Sequence, residues 1–309
     1  MDNTLYIVVP CYNEEEALPL SAPVLLEKLT ALVSAGLAGP DSRILLVDDG
    51  SKDRTWSLMR ELHERDGRFA ALRLSRNRGH QNALLAGLEY AAAHGDVTIS
   101  IDADLQDDVD AMDEMLRRWA GGCDIVYGVR CDRDADSFTK RFTAESYYRL
   151  IAALGGEVVF NHADYRLMSS RAVRALLDFP ERSLFLRGMV PMIGYETASV
   201  EYKRVARRAG ESKYSLKKML TLAINGVTAL SARPIRMVAA LGALLFAAAL
   251  IAVIVMLIAG ASAAAVAAVS AWGAAGLVLL GLGVVGEYVS HIYEEVKGRP
   301  RYFIMDTLE

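Results

Sequence analysis

Six carboxylates, Asp102, Asp104, Asp107, Asp108, Asp110 and Asp113, crowd the stretch V-T-I-S-I-D-A-D-L-Q-D-D-V-D-A-M-D that runs from Val97 to Asp113. At this density they repel one another unless positive charge sits among them. Hard oxygen ligands suit Mg²⁺ or Mn²⁺. Mg²⁺ is held by one or two carboxylates together with substrate phosphates, so the pattern points to a diphosphate. The β-branched run Val97–Ile101 has the composition of a buried strand. Asp102 and Asp104 then stand at a strand's carboxyl end, where α/β proteins bind ligands, and read as metal or nucleotide ligands. Asp110 reads as the cap of the following helix, and Asp107 and Asp108 are open to either role.

The elements that would place these groups alternate. Leu5–Pro10 reads as a strand leading to a ligand-facing loop, Cys11-Tyr12-Asn13-Glu14, and a helix over 17–34. A strand at 43–47 closes on Asp48-Asp49-Gly50-Ser51 before a helix over 55–65. A third strand, 69–74, leads through Ser75-Arg76-Asn77-Arg78-Gly79 into an Ala/Leu-rich helix reaching Ala93. After the Val97 strand come a helix near 110–120 and a strand at 125–129. Strands alternating with helices predict a mostly parallel α/β sheet. No GxGxxG or Walker pattern follows any strand, which makes a dinucleotide or P-loop reading poor.

Hydrophobic residues make up 53% of the 309, and the excess lies at one end: Met237–Gly286 holds no charged residue. Such a run accommodates two membrane spans of about twenty residues each. They are expected at about 237–259 and 265–286, turning at Gly260-Ala261-Ser262. Arg233 and Arg236 precede them and Lys297, Arg299 and Arg301 follow, which places both outer ends in the cytosol. Between 215 and 232, Leu216, Met219, Leu220, Ala223, Ile224 and Val227 recur at helical spacing, as in an amphipathic helix on a membrane surface. The expected organisation is therefore a domain over 1–214, an interface helix over 215–232, a two-helix transmembrane hairpin within 233–290, and a cytosolic tail over 291–309. A net charge of −4 gives no sign of a nucleic-acid partner. Cys11, Cys123 and Cys131 form neither a disulfide framework nor a zinc pattern.

V-V-P-C-Y-N-E-E, V-D-D-G-S-K-D, D-A-D-L-Q-D, D-Y-R-L-M, R-x-A-x-x-x-G-E-S-K-Y and the G-R-P-R-Y-F ending occur in that order. As an ordered set they resemble the inverting family 2 glycosyltransferases that act on polyprenyl phosphate. These include the bactoprenol glucosyltransferases and dolichyl-phosphate mannose synthase. Asp108 and Val109 stand where the family usually has prolines, and the Gln-x-x-Arg-Trp motif of processive synthases is missing.

The resemblance implies a GT-A-type fold and transfer of a sugar, glucose first, from a UDP-sugar to polyprenyl phosphate. N-acetylglucosamine, mannose or a modified pentose is the alternative sugar, and a non-catalytic membrane scaffold the alternative class. It implies that Pro10, Tyr12 and Glu14 border the base and ribose and that Asp48 accepts from the uracil ring. Asp104 and Gln106 would hold Mg²⁺ or Mn²⁺, with Asp102 on metal or nucleotide. Arg207 and Lys213 would face the departing diphosphate, Arg130 and Arg141 the acceptor phosphate, and Asp164 the reacting centre. It further implies a multi-pass protein of the inner cell membrane with a cytosolic catalytic domain, forming a homo-oligomer, a tetramer in the family.

Overall fold

A computed structural model describes residues 3–131, 162–181, 184–203, 233–260 and 262–309. The expected interface helix at 215–232 lies outside them, as do Arg141, Arg207 and Lys213.

The apolar runs form strands where hydrophobic side chains fill both faces of the backbone: β1 (Leu5–Cys11), β2 (Arg43–Asp48), β3 (Phe69–Leu74), β4 (Val97–Ser100) and β5 (Ile125–Arg130). Helices α1 (Leu18–Ser34), α2 (Thr55–Arg65), α3 (His80–His94) and α4 (Ala111–Ala120) connect them. Then follow β6 (His162–Ser169), α5 (Ser170–Leu177), α6 (Leu186–Met192) and β7 (Thr197–Tyr202). The last strand, β8 (Ile304–Leu308), comes from the chain's end. Strand order in the sheet is β7-β5-β6-β4-β1-β2-β3-β8. β4, β1, β2 and β3 run parallel, as do β5 and β7; β6 and β8 are antiparallel to their neighbours.

Side chains alternate across each strand, so the sheet supplies two cores. Leu5, Ile7 and Val9 of β1 pack with Leu25 and Leu29 of α1, Met59 of α2 and Met115 of α4. Tyr6 and Val8 face the other way, onto Leu84 and Leu88 of α3, Val173 of α5 and Met189 of α6. The mostly parallel α/β sheet flanked by helices is as the sequence predicts. β6 is an addition: the Asp164–Met168 segment, which reads as a short motif between elements, is a strand inside the sheet.

The chain's end also belongs to this unit. β8 pairs with β3, Leu72 opposite Thr307. Just before it, Arg301 donates to the carbonyls of Phe179 (2.5 Å) and Glu181 (2.8 Å). Residues 300–309, within the expected cytosolic tail, complete the sheet edge.

The second unit holds α7 (Arg233–Ile258) and α8 (Ala263–Val296). Two spans were expected; among the described residues one helix is long and apolar enough to cross a membrane, over Ala263–Ser290, and α7 supplies the shorter apolar stretch Ala247–Met256. Leu250, Ile251, Ile254 and Ile258 of α7 and Val278, Leu279 and Leu282 of α8 are exposed within this unit. So much contiguous apolar surface calls for an apolar environment.

Candidate active site

The chain leaves β1 toward β2 on one side and returns to β4 on the other. The carboxyl ends of β1 and β4 therefore open a crevice at a topological switch point, the usual ligand position in such sheets. The loops around it are laced together through polar backbone groups. Asn13, in the left-handed region at φ 53°, donates its N–H to Ser51 Oγ (2.9 Å) and accepts from the Lys52 N–H (2.9 Å). The Glu14 N–H donates to Thr55 Oγ1 (2.9 Å). Gly50 has φ 66°, and a Cβ there would stand 2.6 Å from the Arg76 carbonyl carbon, so the loops after β2 and β3 meet only because it is glycine. Buried Asp49 receives the N–H groups of Arg78 (2.6 Å) and Gly79 (2.8 Å), which fixes the entry to α3.

These contacts place the expected nucleotide residues. Pro10 ends up buried, and Tyr12 and Glu14 are half-buried at the crevice. Asp48 is fully buried: Oδ1 receives the Ser51 N–H (2.8 Å) and Oδ2 lies 3.3 Å from Arg73 Nε.

The acidic stretch divides in two. Asp107 is buried and accepts from Tyr202 Oη (2.6 Å) and Arg130 Nη2 (3.3 Å), while Tyr165 Oη donates to the Asp108 carbonyl (2.9 Å). Asp110 occupies the N-cap position of α4, yet its side chain makes no cap hydrogen bond. It accepts instead from Lys28 (2.8 Å), which also reaches Asp113 (2.5 Å), because a nearly buried ammonium on α1 needs both carboxylates. These four residues brace the loop. Asp102 and Asp104 remain for the crevice, with the Gln106 N–H donating to Asp104 Oδ1 (3.2 Å) and Leu105 at φ 49° turning the chain.

Register brings Asp164 to the same place. β4 and β6 pair antiparallel with Ser100 opposite Arg166, so two residues further on Asp164 comes beside Asp102. Ser100 Oγ donates to the Asp164 carbonyl (2.5 Å). The Asp164 carboxylate is ringed by cations. Arg166 Nη2 donates to Oδ1 (2.6 Å), and Arg187 at the start of α6 reaches both oxygens (3.3 and 3.1 Å). His80 Nε2, on the first residue of α3, stands 3.6 Å from Asp164 and 3.8 Å from Asp102.

The electrostatics follow from these neighbours. Burial by itself would raise the Asp164 carboxyl, but Arg187, the His80 hydrogen bond and Arg166 outweigh it and hold it well below the usual range. Burial pushes Asp102 up; His80 opposes, and Asp164, Asp107 and Asp104 add to the rise. Burial lowers His80, yet Asp164 and Asp102 more than compensate, and it titrates above its ordinary value.

Among the described residues no three His, Cys, Asp or Glu side chains converge as a ready-made metal cage. Two carboxylates and an amide fit a cation that takes its remaining oxygens from a diphosphate.

Of the residues expected at the centre, Asp102, Asp104 and Asp164 come together. Arg130, at the end of β5, is held by Asp107 and by Tyr202 Oη (3.1 Å from Nε). His80, Arg166 and Arg187 were not among the expected residues. No spacing links them, since they meet only through β6 and the packing of α3 against α6. Gln81, next to His80, makes one such link by accepting the Leu186 N–H (3.0 Å).

Residues 6–177 match the family model for glycosyl transferase family 2. An uncharacterised glycosyltransferase of Bacillus subtilis, YkoT, is 48% identical over 305 residues, covering 97% of this chain and 90% of the relative. An SfII prophage-derived bactoprenol glucosyl transferase of Shigella flexneri is 36% identical over 305 residues, 96% of each chain. A further uncharacterised glycosyltransferase, from Synechocystis, is 35% identical over 98% of this chain and 95% of its own length.

Proposed function

The chain belongs to glycosyl transferase family 2 and is a glycosyltransferase, and on that premise we propose that it transfers glucose from UDP-glucose to polyprenyl phosphate at the cytosolic membrane face. The observation that carries this reading is the meeting of Asp102 and Asp164 around His80 at the switch-point crevice, with Asp104 two residues beyond Asp102. The bactoprenol glucosyl transferase named among the relatives supports the acceptor.

In this reading Pro10, Tyr12 and Glu14 border the nucleoside, and Asp48 serves the uracil end of the crevice. Asp104, Gln106 and Asp102 would hold Mg²⁺ or Mn²⁺, whose charge would offset that of the departing diphosphate. Arg207 and Lys213 supply further positive charge there. The lipid phosphate arrives already ionised, since phosphate monoesters have a second pKa of about 6. One of its oxygens attacks the anomeric carbon as the bond to UDP breaks on the opposite face, giving inversion. No strong base is required, and Asp164, engaged by Arg166 and Arg187, would serve in orientation or weak base work. Arg130, with Arg141, would meet the lipid phosphate.

The membrane part of the reading has a topological support. β7 and β8 belong to one sheet, so the segment between them starts and finishes on the same side. That favours an even number of bilayer crossings, and in this reading α7 crosses together with Ala263–Ser290. A multi-pass protein of this kind suits an acceptor whose isoprenoid tail stays in lipid.

The test offers purified full-length protein, undecaprenyl phosphate and Mg²⁺ a panel of labelled nucleotide sugars. Label from UDP-glucose should enter the lipid extract. Absence of lipid label from every sugar, or label only in water-soluble product, would overturn the proposal.

A further inference from the structure

Arg130 is the partly exposed member of a closed ring of three side chains. On the parallel pair β5–β7 it stands opposite Tyr202, so the two side chains leave the sheet on one face. Arg130 donates from Nε to Tyr202 Oη (3.1 Å) and from Nη2 to Asp107 (3.3 Å), and Tyr202 Oη donates to Asp107 (2.6 Å). Asp107 is buried, while the Arg130 side chain is 27% exposed. Among the described residues Arg130 Nη1 makes no hydrogen bond, so one edge of the guanidinium is held and the other is left for a ligand.

The phenol is the fixed point of this ring. Tyr202 is buried, and its aromatic ring meets Tyr165 edge-on, with 5.2 Å between centroids and 84° between planes. Gly128, two residues before Arg130, leaves the room: a Cβ there would lie 3.0 Å from both aromatic rings and 2.8 Å from the Tyr165 carbonyl oxygen. Burial, with Asp107 beside it, pushes the Tyr202 phenol up against the pull of Arg130, so the hydroxyl keeps its proton. It gives that hydrogen to Asp107 and accepts from Arg130 with a lone pair. A single contact, to Asp107, would let the guanidinium swing about it. The second contact, at Nε, fixes the plane of the fork, and a fork held in one plane suits phosphate oxygens.

Resting on the reading of Arg130 as a ligand of the acceptor phosphate, we propose that Tyr202 is a positioning residue whose hydroxyl aims Arg130 at that phosphate, while Asp107 supplies the counter-charge. Phosphate chemistry is common to acceptor and donor, and the test separates the two.

Full-length protein in detergent with Mg²⁺ is assayed for transfer from labelled UDP-glucose to undecaprenyl phosphate, and KM is measured for each substrate. Tyr202→Phe keeps the ring and removes the hydroxyl. It should raise KM for undecaprenyl phosphate by about three- to ten-fold and leave KM for UDP-glucose within about two-fold. Arg130→Ala should raise the acceptor KM by about ten-fold or more, and adding Tyr202→Phe to it should change that value by less than about two-fold, because the group to be aimed is gone. Tyr165→Phe removes the neighbouring hydroxyl, which holds the Asp108 carbonyl rather than Arg130, and should keep the acceptor KM within about two-fold of the parent.

An unchanged acceptor KM in Tyr202→Phe, beside a raised one in Arg130→Ala, would overturn this proposal and leave the acceptor reading standing. The full effect of Tyr202→Phe persisting in the Arg130→Ala background would overturn it as well, since Tyr202 would then act independently of Arg130. An equal rise in Tyr165→Phe would assign the effect to bracing of the loop and overturn it too. An acceptor KM unmoved by Arg130→Ala, or a rise in KM for UDP-glucose in its place, would remove Arg130 from the acceptor site and overturn the reading on which the proposal rests.

Discussion

Replacing Asp164 by Asn removes one negative charge and keeps the shape of the side chain. The cost falls mainly on Arg166, which is 1% exposed and 2.6 Å from the carboxylate that neutralises it. Breaking one side of a buried pair costs about 3–5 kcal/mol, because the remaining charge cannot return to water. Arg187 adds little, being 38% exposed and therefore screened. At roughly 2–4 °C per kcal/mol for a unit of this size, Tm should fall by about 6–20 °C. Thermal unfolding of the full chain in detergent, followed by far-UV circular dichroism, measures this. The double variant Asp164→Asn/Arg166→Met should regain most of the loss, since it leaves no orphaned charge. If Asp164→Asn unfolds within about 2 °C of the parent, Arg166 does not depend on Asp164 and the cation-ring account is wrong. Turnover should also drop through kcat, with donor affinity kept.

Asp104→Asn should behave oppositely, with stability unchanged but turnover down by about a hundred-fold or more, several kcal/mol of lost charge stabilisation; near-normal turnover in saturating Mg²⁺ would remove it from the metal set. With native cysteines replaced, a cysteine at Ser262 should react with an impermeant thiol reagent outside intact cells and one at Thr307 should not, and the reverse pattern would overturn the placement of both outer ends in the cytosol. Acid stability tests Asp124, which the Arg171 hydrogen bond draws below its ordinary value against opposing burial, with Ser169 adding to the fall. A depressed carboxyl stabilises the fold above the unfolded value of about 3.9 and loses that contribution as pH falls through the folded value. Tm should therefore drop less steeply between about pH 5 and pH 3 in Asp124→Asn than in the parent, and parallel curves would contradict the assignment.

What could be read from the sequence was local. Apolar runs marked β1 to β5, the stretches between them read as α1 to α4, and acids just past strand ends marked Asp102 and Asp104, because each signal needs only neighbours in the chain. The uncharged stretch at 237–286 announced an apolar environment by composition alone. Tertiary structure decided the rest. Aspartates that look alike in D-A-D-L-Q-D-D-V-D separate into crevice residues and loop braces, since Lys28, Arg130, Tyr165 and Tyr202 come from distant elements to hold the braces. The β6 register, with Ser100 against Arg166, sets Asp164 beside Asp102. Only then do His80, Arg166 and Arg187 meet on one carboxylate. Whether a charge serves chemistry or structure depends on which opposite charges burial forces against it, and the long-range contacts that bring them there leave no trace in local spacing.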